Sequence, residues 1–208
     1  MVRAARIVVP GAAHHVTQRG NDRQTIFFDD TDRLRYLSYL RESFLLYGVR
    51  LTAYCLMTNH VHLVAVPETE RALASAVGRT HLLYAQYKLQ QQRRSGHFWQ
   101  GRFYSCPLDE LHSYNVVAYV ELNPVRAGMA ATPWAYLWSS APAHYRKGAD
   151  VSELLDLPAW FAAMPVATWR ETLQVIQEAK ALVDIIRMHT RLGRPLGNAA
   201  FLQKLETL

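Results

Sequence analysis

Apolar positions along the chain switch between two periods, and the switches mark out its elements. Residues 13–19 read as a short strand closed by a turn at Gly20-Asn21-Asp22. Asp29-Asp30-Thr31-Asp32 then offers a helix cap and first-turn acids. Leu34, Leu37, Tyr39, Leu40, Phe44 and Tyr47 follow at helical spacing, and Gly48 is the expected stop. Two β-rich runs, 49–57 and 60–66, meet around Thr58-Asn59 and predict a hairpin with strands apolar on both faces. A second helix is expected over 70–93, a fourth strand over the aromatic run 97–106, and a third helix over 109–122. That helix should end at Asn123-Pro124, since the residue before a proline is pushed out of the α region. The order β-α-β-β-α-β-α predicts an α+β fold, a ferredoxin-like βαββαβ sandwich with an antiparallel sheet. A Trp/Pro-rich connection at 133–142 leads on to a helix near 167–190, a Gly/Pro loop at 193–197 and a final short helix. The expected division is a core of residues 1–145 and a helical C-terminal extension of 146–208.

Composition narrows the class. Half of the 208 residues are apolar and 19% are charged, which excludes a disordered or collagen-like chain. No apolar run approaches the roughly 20 residues that span a bilayer, so no membrane association is expected. The start, Met1-Val2-Arg3-Ala4-Ala5-Arg6, meets Pro10 after only a brief apolar stretch, which argues against a secretory leader. Cys55 and Cys106 are too few for a disulfide framework or a zinc ribbon, and a reduced, cytoplasmic compartment is the expectation. Of 23 basic residues, 19 are Arg. Residues 1–108 hold 14 basic and 7 acidic side chains, whereas 109–208 hold 9 and 10. An Arg-rich basic half suits a phosphate-rich partner, although Arg and Ala codons in a GC-rich genome would give the same bias.

Two groups of residues bear on chemistry. In Asn59-His60-Val61-His62-Leu63 the histidines are two apart on a strand, so both rings project from one face and can share a divalent metal. Most such pairs are simply solvated or hydrogen-bonded. Buried beside Leu56, Val64 and Val66, however, these rings need partners, and a metal supplies one. Tyr119 and Asn123 are four apart and neighbours on a helix face, offering a phenol and a hard oxygen. The plainer reading makes Tyr119 a core aromatic among Val116, Val117 and Val120, with Asn123 ending the helix.

A His-x-His strand in a βαββαβ core, followed by a helix bearing Tyr-x-x-x-Asn, resembles the single-tyrosine HUH transposases. The similarity is to their REP-associated branch, related to the insertion-sequence-200-like transposases. It runs through Pro10–Asn21, Met57–Leu63, Phe98–Tyr104 and Tyr119–Gly128, with later landmarks at Trp138-Ser139-Ser140 and Arg194-Pro195-Leu196-Gly197. The resemblance makes residues 1–145 the catalytic domain. It implies a metal-dependent nickase and strand transferase acting on single-stranded DNA hairpins. His60, His62 and Asn123 would hold Mg²⁺ or Mn²⁺ while Tyr119 attacks phosphorus, leaving a 5′-phosphotyrosine and a free 3′-hydroxyl. Arg19, Arg23, Arg102 and Arg126 lie in the family-like segments and are the expected phosphate contacts, with Trp99 among the aromatics that could stack bases. His14-His15 could position substrate or metal, and Arg191 and Arg194 flank the Gly/Pro loop. No small-molecule cofactor is expected, and a monomer or a homodimer is open. The competing functions are a domesticated, non-cleaving hairpin DNA- or RNA-binding protein and a water-using metal nuclease.

Overall fold

The structure, a computed structural model, describes residues 6–206; the first five positions of the N-terminal segment discussed above lie outside the described residues. Strands β1 (Ala13–Arg19), β2 (Val49–Met57), β3 (His60–Pro67) and β4 (Tyr104–Leu108) form one antiparallel sheet in the order β2-β3-β1-β4. Helices α1 (Asp30–Tyr47) and α2 (Ala72–Gln91) are the crossovers that make this order, and they pack on each other. Helix α3 (Glu110–Glu121) covers β1, β2 and β3, so the central strands are buried on both faces, as their continuous apolar runs require. The sandwich and its α+β class are those expected.

Local chemistry explains the boundaries. The Asp29 carboxylate accepts from the Asp32 backbone N–H at 2.8 Å and starts α1, and Gly48 ends it at φ 65°. Asp109 caps α3 in the same way, accepting from the His112 N–H. Pro124 has no N–H for the carbonyl of Val120, and the Asn123 amide nitrogen donates there instead, at 3.4 Å. The chain therefore continues through a further turn, α4 (Asn123–Arg126), rather than stopping at the proline.

Two further expectations are corrected. The run 97–106 is not one strand: the regular ladder covers 104–108, and Trp99 pairs separately with Gly20 across an excursion at 100–103. Gly101, at φ 147°, makes that excursion, and the Gln18 side chain holds its carbonyl at 2.8 Å. The helix over 167–190 is two, α7 (Val166–Glu178) and α8 (Lys180–Leu192), broken at Ala179. Buried Trp169, Leu173 and Ile176 are followed by Val183, Ile186 and Thr190 at unbroken helical spacing, so the periodicity conceals the break. The break lets α7 pack on α3 and α8 on β4 and β1. Between the core and α7 lie two short helices not expected from the pattern, α5 (Ala141–His144) and α6 (Leu157–Ala163); α9 (Ala199–Glu206) follows α8.

Both sheet edges are covered by later chain. Along β2, Leu56 donates to Trp138 and Ser140 donates to Tyr54 through backbone bonds of 2.8 and 3.0 Å. Along β4, Leu196 donates to Pro107 and Asp109 to Leu196. Trp169, Leu173, Ile176, Val183, Ile186 and Leu196 belong to the same hydrophobic core as the strands.

One buried ion pair ties α1 to α2. Lys88 Nζ donates to both oxygens of Asp32, at 2.7 and 2.8 Å, and both side chains are almost wholly buried. Removing one partner leaves a buried charge uncompensated. Lys88→Met is expected to lower stability by about 3 kcal/mol, read as a shift in urea midpoint; a shift under about 1 kcal/mol would mark the pair as dispensable.

Buried histidines are expected to limit stability in acid. His14 donates from Nδ1 to the Ala12 carbonyl and accepts at Nε2 from the Val9 N–H, and burial lowers its pKa to about 4. Burial lowers His81 to about 3. Unfolded, both rings titrate near the ordinary imidazole value of 6.5, so the unfolded state binds more protons below that pH. Their contribution is complete above pH 6.5 and is lost as pH falls towards 4, by roughly 3 kcal/mol each. A thermal-melt series across that window should slope downwards on acidification; a flat profile would show that these rings do not govern it.

Candidate active site

Residues two apart on a strand share a face, and the register places His15, Thr17 and Arg19 of β1 beside Val64, His62 and His60 of β3. His14 points the other way and is tied to local backbone, so only one of the two adjacent histidines reaches this face. Helix α3 brings Tyr119 onto the same face. Its ring stands edge-on to His62 at 5.6 Å and to His15 at 5.7 Å between centroids. His60 and His62 are 4.9 Å apart by the same measure. A cavity of about 620 Å³ opens here, lined by His60, His62, Tyr119 and Asn123 together.

The cavity is strongly basic. Arg19, Arg23, Arg126, Arg187 and Arg191 line it, and no Asp or Glu does among the described residues. Arg187 and Arg191 come from α8, so the extension forms one wall. Arg126 is anchored, with Nη1 donating to the Tyr119 carbonyl at 3.0 Å and its guanidinium carbon 5.3 Å from the Tyr119 ring centre.

Burial favours the neutral form of both histidines. Burial, reinforced by Arg19, lowers the His60 pKa to about 4, and burial together with His60, His15 and nearby arginines carries His62 well below its ordinary value. Neutral rings are the form that binds a metal. Asn123 donates from Nδ2 to the Tyr119 carbonyl at 3.0 Å, which commits the nitrogen to the helix and leaves the oxygen as the end available to a cation. No cluster of three or more His, Cys, Asp or Glu side chains suited to a metal occurs among the described residues. Two imidazoles and an amide oxygen line the one cavity, donor types that a divalent ion keeping some of its water can accept.

Of the residues expected here, His60, His62, Tyr119, Asn123, Arg19, Arg23 and Arg126 meet in one cavity. Arg102 and Trp99 are not among its lining residues. Arg102 is exposed on the 100–103 excursion. Trp99 packs against His81, Phe98 and Tyr84, and its indole N–H donates to the His81 carbonyl at 2.8 Å. Arg187 and Thr190 line the cavity and were not anticipated. Their distance along the chain from the histidines leaves no local pattern to find, although the helical spacing of 187, 190 and 191 puts all three on one face of α8. No helix among the described residues is long and apolar enough to cross a membrane.

Comparison with known proteins bears on the fold and the family. No curated protein sequence matches the chain. Among solved structures, the fold is similar to that of a REP-associated tyrosine transposase bound to a REP hairpin. The TM-score is 0.61 at 16% identity, covering 73% of this chain and 90% of that one. A Deinococcus radiodurans protein solved as a candidate transposase overlaps less, with a TM-score of 0.36 at 22% identity over 58% of this chain and 96% of the other. The sequence itself matches the family described as "Transposase IS200 like" over residues 8–123, a span that takes in all four strands, both histidines, Tyr119 and Asn123. The chain belongs to the IS200-like transposase family.

Proposed function

We propose that the protein nicks and rejoins single-stranded, hairpin-forming DNA of the REP type through a 5′-phosphotyrosine intermediate. One observation carries the proposal: His60, His62, Tyr119 and Asn123 of a single chain line one cavity with five arginines and, among the described residues, no carboxylate. Guanidinium groups suit phosphate oxygens, and a carboxylate-free wall does not repel them. The similar solved structure, bound to a REP hairpin, supports the choice of substrate.

Tyr119 is the nucleophile. Its phenol oxygen bonds to the scissile phosphorus as the bond from phosphorus to the 3′ oxygen breaks. The phenol proton is lost, and the leaving oxygen takes up a proton to become a 3′-hydroxyl. Attack by another 3′-hydroxyl reverses the step and releases the tyrosine, so the phosphodiester is conserved rather than hydrolysed. His60, His62 and Asn123 would hold Mg²⁺ or Mn²⁺, which when bound neutralises and polarises the phosphate. Arg19, Arg23 and Arg126 position the strand so that attack is in line. Because the nucleophile and both histidines come from one chain, a monomer is sufficient, acting in the cytoplasm on DNA.

The test is incubation with hairpin-forming single-stranded DNA and Mn²⁺, followed by denaturing electrophoresis and peptide mapping. A protein–DNA adduct at Tyr119 is expected. Cleavage that leaves a free 5′-phosphate would identify a water-using nuclease, and binding without cleavage a non-catalytic hairpin-binding protein.

A further inference from the structure

The polarity of one buried hydrogen-bond chain reaches from the C-terminal extension to His62. It begins at the carbonyl of Ile186, which can only accept. The Thr190 hydroxyl lies 2.8 Å from that carbonyl and must spend its single proton there. Thr190 Oγ1 is also 2.7 Å from His15 Nδ1, so its lone pair accepts and the proton of that bond sits on His15 Nδ1. In a neutral ring this leaves His15 Nε2 bare, and Nε2 is 3.0 Å from His62 Nδ1. The proton of that third bond therefore belongs to His62 Nδ1. What remains on His62 is an unprotonated Nε2, the state a metal ligand needs.

His60 reaches the same state by an independent route. The Asn59 amide nitrogen donates to the Arg23 carbonyl at 3.1 Å, which fixes the orientation of the amide. Its oxygen accepts from His60 Nδ1 at 2.6 Å, leaving His60 Nε2 bare as well. Each chain ends on a backbone carbonyl, which can only accept, so neither can run in reverse without leaving two acceptors face to face.

We propose that Thr190 and His15 are positioning residues: they hold His62 as its Nδ1–H tautomer with Nε2 presented to the metal, and so make the α8 helix part of the metal site. The proposal rests on the reading of His62 as a ligand. It also gives the extension a role that does not depend on DNA contact. Without the Thr190 hydroxyl, His15 Nδ1 loses its buried acceptor. The ring is then free to move its proton to Nε2 and donate to His62 Nδ1, which drives the His62 proton onto the ligating nitrogen.

The test uses full-length protein with ¹⁵N-labelled histidine, without metal and without DNA, because protonated and bare ring nitrogens resonate far apart. Wild type should show His15 and His62 protonated at Nδ1. Thr190→Val should give a His62 population protonated at Nε2, leave His60 unchanged, and weaken Mn²⁺ binding about 10- to 100-fold. Thr190→Ser should restore both the tautomer and the affinity. A wild-type His62 protonated at Nε2 overturns the relay even if no variant folds, as does a Thr190→Val spectrum identical to wild type. Wild-type protein that binds no Mn²⁺ would instead overturn the ligand reading, a result separable from the metal-free spectrum.

Discussion

Tyr119→Phe protein is expected to form no covalent adduct with hairpin DNA, a loss of at least ~10³-fold, while binding the hairpin almost as well as wild type. The substitution removes one oxygen and keeps the ring, so the edge-on packing against His15 and His62 survives. The arginines that line the cavity, the proposed source of most of the phosphate attraction, are untouched. Binding and chemistry should therefore separate cleanly. The measurement pairs an adduct assay in Mn²⁺ with a gel-shift titration at fixed salt, since affinity for a polyanion depends steeply on ionic strength. Undiminished adduct in the variant would remove Tyr119 from its role. An equal loss of binding would show that the hydroxyl contacts DNA in the ground state.

The largest expected loss of stability comes from Glu121, two residues along the same helix. Its side chain is fully buried and accepts three hydrogen bonds. Ser140 Oγ and His144 Nδ1 both reach Oε1 at 2.6 Å, and the Trp169 indole N–H reaches Oε2 at 3.1 Å. Around it, the His144 and Trp160 rings stack at 3.8 Å between centroids, and Trp160 stands edge-on to Trp169 at 5.0 Å. One carboxylate thus joins α3, α5 and α7. Glu121→Ala leaves the Ser140 hydroxyl with the Tyr54 carbonyl as a poor alternative at 3.5 Å, and strands His144 and the indole. At about 1–3 kcal/mol for each unsatisfied buried donor, the expected cost is about 4–5 kcal/mol, or roughly 10–15 °C in Tm. Glu121→Gln should fall between, because an amide keeps one acceptor but presents N–H to a donor. A Glu121→Ala protein within about 1 kcal/mol of wild type would show that the cluster repacks.

What could be read from the sequence divides along physical lines. The caps of α1, the tight turn at Thr58-Asn59 and the His-x-His strand are local features, encoded within a few residues, and they are found where expected. Strand alternation also implies that His14 and His15 face opposite ways, but which of them joins His62 depends on the β1–β3 register. The aromatic run at 97–106 has the composition of a strand, yet glycine and packing against α2 divide it. The break at Ala179 lies inside an uninterrupted apolar repeat. His15 and Thr190 are 175 positions apart, so nothing short of the fold places them together.

The sealing of the sheet edges by later segments has a consequence for synthesis. A growing chain displays β1 to β4, both histidines and Tyr119 well before residues 180–196 appear. Until they do, β4 offers unpaired backbone to any neighbouring strand, and the cavity lacks the wall formed by Arg187, Thr190 and Arg191. Local hairpins form quickly, whereas contacts between distant stretches come last. A nascent chain on the ribosome thus carries Tyr119 without the helix that completes its surroundings. The cavity is complete only when translation has delivered α8.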